Sequence, residues 1–136
     1  MSESDLHYEA SVDVRYADLD TLGHVNNAAY ATLCEEARVH YFRDVLDLGV
    51  HDISFVVARL ELDYERAIHD VGTATIAIGI TSFGRTSFTI EYELRYRGET
   101  VGTAETVQVA VDDDGNPVEI PDEWRTRVAA ARSDAA

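Results

Sequence analysis

Lysine is absent from this chain of 136 residues, and all eleven of its basic residues are arginines. Twenty-six acidic residues outnumber them, giving a formal net charge of -15. Phosphate binding needs a basic surface stripe, so this composition argues against nucleic acid as a partner. Dense surface carboxylates without lysine are typical of halophilic proteins, because concentrated salt screens their mutual repulsion. We therefore predict an extreme halophile as the source, with an ordinary acidic cytosolic protein as the alternative.

Cysteine is nearly absent as well, since Cys34 is the only one. A single cysteine cannot form an intrachain disulfide, which fits a reducing compartment. Cys34 lies within an apolar stripe, where a buried structural thiol is more common than a nucleophile. Four of the five histidines show no metal-ligand spacing with one another or with an acidic cluster, so no metal site is predicted. They are His7, His40, His51 and His69.

Long apolar runs, glycine-rich phosphate loops and the G-x-S-x-G nucleophile motif are also missing. No segment is therefore expected to span a membrane or to hold a nucleotide through such a loop. The acidic start of the chain, Met1 to Asp5, lacks the apolar core of a secretory signal. These absences together predict a cytoplasmic protein.

What the chain does contain is a hydrophobic content of 46%, enough for one globular domain over residues 1–136. Four segments rich in β-branched and aromatic residues read as long strands that follow one another directly, so we predict an α+β fold with a mainly antiparallel sheet. A short helix is predicted from about residue 122, fraying after Arg132. The four predicted strands are Ala58 to Tyr64, Thr73 to Thr81, Thr86 to Arg97 and Val101 to Val111.

The polar chemistry concentrates between Val14 and Asn27, where a strand gives way to a helix. Upstream, Val12, Val14 and Tyr16 alternate with polar residues, which is the period of a half-buried strand. Downstream, an apolar stripe at three- and four-residue steps predicts a helix that Gly49 can end. Asn26 or Asn27 is the expected N-cap of that helix.

A carboxylate held just before a helix N-terminus suggests acyl-transfer chemistry. The free N–H groups of the first turn could polarise a carbonyl while Asp20 attacks it or activates water. The alternative is that Asp18 and Asp20 are turn and capping residues, which are common at strand ends. Asp18 is expected to support the loop, and two carboxylates buried together would raise a carboxyl pKa.

The same loop carries a family signature: Arg15-Tyr16-x-Asp18-x-Asp20-x-x-Gly23-His24-Val25-Asn26-Asn27-x-x-Tyr30, followed by Glu36-Ala37-Arg38. This string resembles the 4-hydroxybenzoyl-CoA thioesterase group of the hotdog-fold acyl-CoA thioesterases. The resemblance continues through the later strands to the terminal helix. One departure is Ala67, where many relatives carry proline. It bears on the rigidity of a turn and leaves the signature intact.

The resemblance implies a hotdog fold, in which an antiparallel sheet wraps a long central helix, and hydrolysis of an acyl-CoA without a cofactor. It assigns Asp20 as nucleophile or general base and the backbone N–H near Asn27 as the carbonyl donor. It places His24, Asn26 and Tyr30 at the substrate, although His24 could equally be structural. It also implies a homodimer or homotetramer. Acyl carrier protein could replace CoA, the acyl chain stays open, and a non-catalytic acyl-CoA-binding protein is the competing interpretation.

CoA is anionic, so an arginine must offset the acidic field of this chain locally. The candidates are Arg59, Arg66, Arg85, Arg95 and Arg97. Arg85 is favoured among them, because we expect it in the turn before the Ser87 strand and at the border of the cleft. A solvated loop arginine is the alternative.

Overall fold

The computed structural model describes residues 5–49, 52 and 54–135. Residues 1–4, on which the expectation about a secretory signal depends, lie outside the described residues. His51 lies outside them as well.

The described chain forms five strands, two α-helices and one 3₁₀ turn. In chain order these are β1 (Tyr8–Val14), the 3₁₀ turn (Tyr16–Asp18), α1 (Asn27–Leu46), β2 (Phe55–Tyr64), β3 (Gly72–Phe83), β4 (Ser87–Tyr96), β5 (Glu99–Ala110) and α2 (Asp122–Ala135).

The strands form one antiparallel sheet in the order β1-β3-β4-β5-β2. Strands β4 and β5 are joined by a two-residue turn in which Arg97 and Gly98 have φ angles of 51° and 81°. Positive φ at both positions is the geometry that matches the twist of a hairpin. The predicted α+β class and antiparallel sheet are therefore confirmed.

Helix α1 packs across the core-facing side of β1 and β3. Alternate residues of β4 face the helix and are buried, as the period-two pattern predicts: Phe88, Ile90, Tyr92, Leu94 and Tyr96. The helix buries a stripe of its own that includes Leu33, Cys34, Ala37 and Tyr41. Burial raises the pKa of the Cys34 thiol to about 12, which keeps it protonated and inert as a nucleophile.

The end of α1 differs from the sequence prediction. Its last residue is Leu46, and Asp47 takes the left-handed conformation with φ 57°. Leu48 N–H then donates to the Phe42 carbonyl (3.0 Å), a bond that closes the helix. Gly49 was the wrong residue for this role, because aspartate also tolerates the left-handed region.

Strand β1 also ends earlier than predicted. Tyr16 lies beyond it in the 3₁₀ turn, with 84% of its surface exposed. The alternation of apolar and polar residues in the sequence therefore extends two residues beyond Val14, the last residue of the strand.

Helix α2 closes the remaining end of the core. It begins at Asp122 and continues past Arg132 to Ala135. Trp124 packs against Phe88 and Phe42, with ring centroids 5.5 and 6.4 Å apart. Among the described helices, none is long and apolar enough to cross a membrane.

Strand β2 is an edge strand that α1 covers only in part: Phe55 packs against Phe42 of the helix, with ring centroids 5.4 Å apart. Its register with β5 puts Val57, Leu60 and Tyr64 on the core-facing side, yet 44%, 47% and 47% of their surfaces are exposed. A long edge strand with bare apolar residues is a surface that proteins normally cover.

Candidate active site

The loop between β1 and α1 is held by an internal ion pair. The Arg15 guanidinium donates to Asp18 (Nη2 to Oδ1, 2.9 Å), and the Arg15 backbone N–H donates to the same carboxylate (2.8 Å). Asn26 N–H closes the loop on the Asp18 carbonyl (2.8 Å). The Arg15 hydrogen bond lowers the pKa of Asp18 despite its burial. The upward shift expected for two carboxylates buried together does not arise, because the Asp20 side chain is partly exposed. Asp18 thus fixes the two ends of the loop.

Asp20 lies in the middle of this loop and is less enclosed, with about a quarter of its side chain exposed. Its backbone N–H donates to the His24 carbonyl (2.9 Å), and its Oδ1 accepts from Leu22 N–H (2.9 Å). Gly23, with φ 83°, allows the tight turn between these residues. Within the described residues no other hydrogen bond to the Asp20 carboxylate is made, so Oδ2 keeps its capacity to accept one.

His24 lies between Asp20 and the helix start. Its Nδ1 is 3.8 Å from Asp20 Oδ1 and 3.4 Å from the Val25 carbonyl. Its ring also meets His69 edge-on, with centroids 6.1 Å apart. No pattern in the sequence marked His69, because the two histidines are brought together only by the bond from Val25 N–H to the Ile68 carbonyl (2.7 Å).

The start of α1 leaves one backbone donor unused. Asn26 is the N-cap, and its Oδ1 accepts from Ala28 N–H (2.8 Å) while its carbonyl accepts from Ala29 N–H (2.9 Å). In the described part of the chain, Asn27 N–H has no acceptor. A free N–H at the positive end of a 20-residue helix is suited to an oxyanion.

Two tyrosines support this helix start. Tyr30 is buried, with 2% of its surface exposed, and its hydroxyl donates to the Arg66 carbonyl (2.8 Å). Tyr64, at the end of β2, donates to the Asn27 carbonyl (2.9 Å) and packs edge-on against the Tyr30 ring. The Tyr30 hydroxyl is therefore already bonded within the protein. Sequence reasoning missed Tyr64, whose only signal was an aromatic residue at a strand end.

Asp20 and Asn27 line two open surface depressions of this chain. Asp20 lies in one of about 590 Å³ together with Tyr16 and Leu19. Asn27 lies in one of about 350 Å³ together with His24, Tyr64 and Arg66. His24 lines the second depression and approaches the carboxylate of the first, so it marks where they adjoin.

Arg85 lies in the turn before β4, as predicted, and the candidate Arg66 lies at the opposite end of the sheet. Arg85 lies two residues beyond the far end of β3, whereas the Asp20 loop follows the β1 end that pairs with Gly72. That strand of 12 residues is about 36 Å long. Arg85 pairs there with Glu119 (3.1 Å). Arg66 is the arginine that lines the Asn27 depression.

Metal ligation has no geometric support in the described residues. No three histidine, cysteine or acidic side chains among them lie close enough together to hold a metal ion.

An antiparallel sheet that packs against one long central helix is the architecture of the hotdog fold. Residues 14–128 match the family described as the thioesterase-like superfamily, and the chain belongs to that family.

Individual relatives agree with this assignment. A 1,4-dihydroxy-2-naphthoyl-CoA hydrolase of Synechococcus elongatus is 26% identical over 77% of this chain and 82% of its own. The protein YsmA of Bacillus subtilis is 30% identical over 89% of this chain and 84% of its own. The crystal structure of a thioesterase from Thermus thermophilus, complexed with coenzyme A and Zn, is 33% identical with a TM-score of 0.84 and covers 95% of this chain and 96% of that one.

Proposed function

We propose that this protein is an acyl-CoA thioesterase of the 4-hydroxybenzoyl-CoA thioesterase group, which hydrolyses its substrate to a free carboxylic acid and CoA. The observation that carries the proposal is a helix start whose Asn27 N–H is unbonded, preceded by a loop in which Asp20 Oδ2 accepts no hydrogen bond from the described residues. The S. elongatus relative, by its name, acts on a CoA thioester, which supports CoA as the carrier here.

In the proposed reaction, Asn27 N–H binds the thioester carbonyl oxygen, where negative charge develops in the transition state. Asp20 then acts in one of two ways. As a nucleophile it bonds to the carbonyl carbon and expels CoA thiolate, and water hydrolyses the resulting anhydride. As a general base it takes a proton from water as the water oxygen bonds to the carbonyl carbon, and the tetrahedral intermediate then expels CoA thiolate, which takes up a proton. His24 is placed to orient the Asp20 carboxylate and to contact the substrate beside Asn26.

We also propose that the working unit is a dimer in which β2 pairs antiparallel with β2 of a second copy. Such pairing would cover the bare residues Val57, Leu60 and Tyr64 and extend the sheet without an edge. Twofold symmetry requires the Tyr64 end of one strand to lie beside the Phe55 end of the other. The Asp20–Asn27 region of one copy would then face the gap between α1 and β2 of its partner.

The test is hydrolysis of a panel of short, long and aromatic acyl-CoAs in high salt by the wild type and by Asp20→Asn. Asparagine retains the acceptor for Leu22 N–H, so the fold should survive while the charge is lost. We expect a loss of about 10² to 10⁴ in kcat, the usual contribution of a positioned base. Asp13→Asn is the matched control, because Asp13 is an exposed carboxylate on β1.

Turnover of no thioester by the wild type, or full activity of folded Asp20→Asn, would contradict the proposal. Rapid-quench mass spectrometry separates the two chemical routes. An acyl adduct on Asp20 identifies the nucleophile, whereas product formation in a single turnover without an adduct identifies the general base.

A further inference from the structure

The turn between β2 and β3, residues 65–71, is bonded to the segment that leads into α1. Val25 N–H donates to the Ile68 carbonyl (2.7 Å). The Tyr30 hydroxyl, in the first turn of the helix, donates to the Arg66 carbonyl (2.8 Å). Ile68 is itself buried, with 1% of its surface exposed, so it anchors the turn in the core. The position of the turn therefore fixes the position of the helix start.

The second half of this turn is held by Tyr96, the last residue of β4. The Tyr96 hydroxyl lies 3.1 Å from the Asp70 carbonyl oxygen and 3.0 Å from the Val71 carbonyl oxygen, so its single proton is shared between two acceptors. Tyr96 is buried, which shields these bonds from water. Arg97 adds an ion pair with Asp70 (3.6 Å), but both side chains are exposed and such a pair contributes little. The hydroxyl is therefore the buried polar contact between the end of β4 and the turn.

Gly72, the first residue of β3, allows Tyr96 to approach the turn this closely. A Cβ atom at position 72 would lie 2.9 Å from Tyr96 Oη and 3.3 Å from the nearest ring carbon. Carbon atoms do not pack at such distances, so a larger residue at this position would force the ring or the turn to move. The contact between hydroxyl and turn thus depends on two matched residues from different strands.

We propose that Tyr96 is a positioning residue of the thioesterase site, because its hydroxyl holds the turn and the turn holds the Asn27 N–H at the start of α1. The inference rests on the proposed thioester hydrolysis. Two residues separate the bonded carbonyl of Asp70 from that of Ile68, and two residues separate Val25, the donor to Ile68, from Asn27. Without the hydroxyl the turn can shift, and a misplacement of about 1 Å costs on the order of 10²-fold in rate.

Tyr96 acts through the turn and not on the substrate. It is not among the residues that line the depressions of Asp20 and Asn27. Removal of its hydroxyl should therefore leave the groups that contact the substrate in place, apart from the small shift of the helix start. The rate of the chemical step is expected to change more than the affinity for the substrate.

Tyr41 offers a matched comparison at the other end of the sheet. Its hydroxyl is fully buried and also has two partners, since it accepts from Ile80 N–H (3.2 Å) and bonds to His7 Nε2 (2.6 Å). Ile80 lies eight residues along β3 from Gly72, a distance of about 26 Å. Loss of the Tyr41 hydroxyl should thus weaken the fold without moving the start of α1.

The experiment compares Tyr96→Phe and Tyr41→Phe with the wild type, using the acyl-CoA that the wild type hydrolyses fastest. Each variant loses one buried hydroxyl and keeps its ring, so we expect each melting temperature to fall by about 3–6 °C. Only Tyr96→Phe should lower kcat, by about 5- to 30-fold, with KM changed by less than about twofold. Wild-type kcat in folded Tyr96→Phe would overturn the inference while leaving thioester hydrolysis intact. An equal fall of kcat in Tyr41→Phe, or a higher KM with unchanged kcat in Tyr96→Phe, would overturn it as well.

Amide hydrogen exchange tests the same link without turnover. In Tyr96→Phe the Val25 N–H should exchange about fivefold or more faster than in Tyr41→Phe, because only the first variant loosens its acceptor Ile68. If the wild type hydrolyses none of the esters, the thioesterase proposal fails, and faster exchange confined to Tyr96→Phe still shows that Tyr96 sets the geometry of the helix start. Equal exchange of Val25 N–H in the two variants refutes the inference whatever the activity.

Discussion

The N-cap residue Asn26 links the stability of α1 to the proposed chemistry, because it occupies two donors of the first turn and leaves Asn27 N–H free. Replacing it with alanine removes the acceptor of Ala28 N–H, which now bonds Asn26 Oδ1 at 2.8 Å. Loss of such a cap costs about 1 kcal/mol, so the melting temperature of Asn26→Ala should fall by about 3–5 °C. Asn26→Ser keeps a capping oxygen and should retain most of this stability.

The aspartate variant separates stability from catalysis at the same position. Asn26→Asp keeps the cap and adds a negative charge that the helix N-terminus stabilises, so it should be at least as stable as the wild type. The same charge would stand roughly 5 Å from the developing oxyanion, where repulsion amounts to about 1–3 kcal/mol for an effective dielectric constant between water and a protein surface. We therefore expect kcat to fall by about 5- to 100-fold.

The assay measures melting temperature and kcat for all three variants at low and high salt. Concentrated salt should restore part of the activity of Asn26→Asp, because the added charge is exposed and becomes screened. If Asn26→Asp turns over as fast as the wild type in low salt, the oxyanion does not form at this helix start and the reasoning is refuted.

Four further outcomes are expected. Tyr30→Phe should lower the free energy of unfolding by about 1 kcal/mol through its lost hydrogen bond, with kcat/KM changed less than threefold; a larger loss of kcat/KM would show that the hydroxyl contacts the substrate. Raising KCl from about 0.1 to 3 M should raise the melting temperature, since it screens a net charge of -15; a fall would contradict the halophilic interpretation. Leu60→Glu should yield monomers by light scattering, whereas Val56→Glu, on the other face of β2, should not; a monomeric wild type would refute the dimer. Because Asp18 has a lowered pKa, its stabilising effect should be present above about pH 4 and disappear as the pH falls through the folded-state pKa, and Arg15→Gln should flatten that dependence in acid denaturation curves.

Local patterns predicted the elements whose formation depends on neighbouring residues. The predicted alternation of core-facing and outward-facing residues in β4 is confirmed, because adjacent residues of a strand face opposite sides of the sheet in any fold. Asn26 was correctly among the two expected N-caps, because capping involves only residues two or three positions away. The same reasoning failed at the helix end, where Asp47 and not Gly49 adopts the left-handed conformation. Several residue types can do so, and packing of Leu46 and Leu48 selects among them.

The site residues divide in the same way. The motif around Asp20 is contiguous, so the loop between β1 and α1 could be proposed as the active site from the sequence. The family resemblance supplied the proposed roles of Asp20 and Asn27. Tyr64 and His69 lie 44 or more positions from Asp20 and reach the helix start through strand β2 and the turn after it. No local pattern marks them.

The sequence alone therefore determined the kinds of elements, their order and the position of the polar loop, because these follow from short-range periodicity and capping. Only the tertiary structure decided which distant groups share a surface. It set Arg66 beside Asn27 and Arg85 at the opposite end of the sheet, and it left the middle of β2 partly exposed. It also buried Gln108 with a side-chain oxygen that has no hydrogen-bond partner among the described residues. These relations depend on strand order and register, which arise from long-range packing and cannot be read from any one segment.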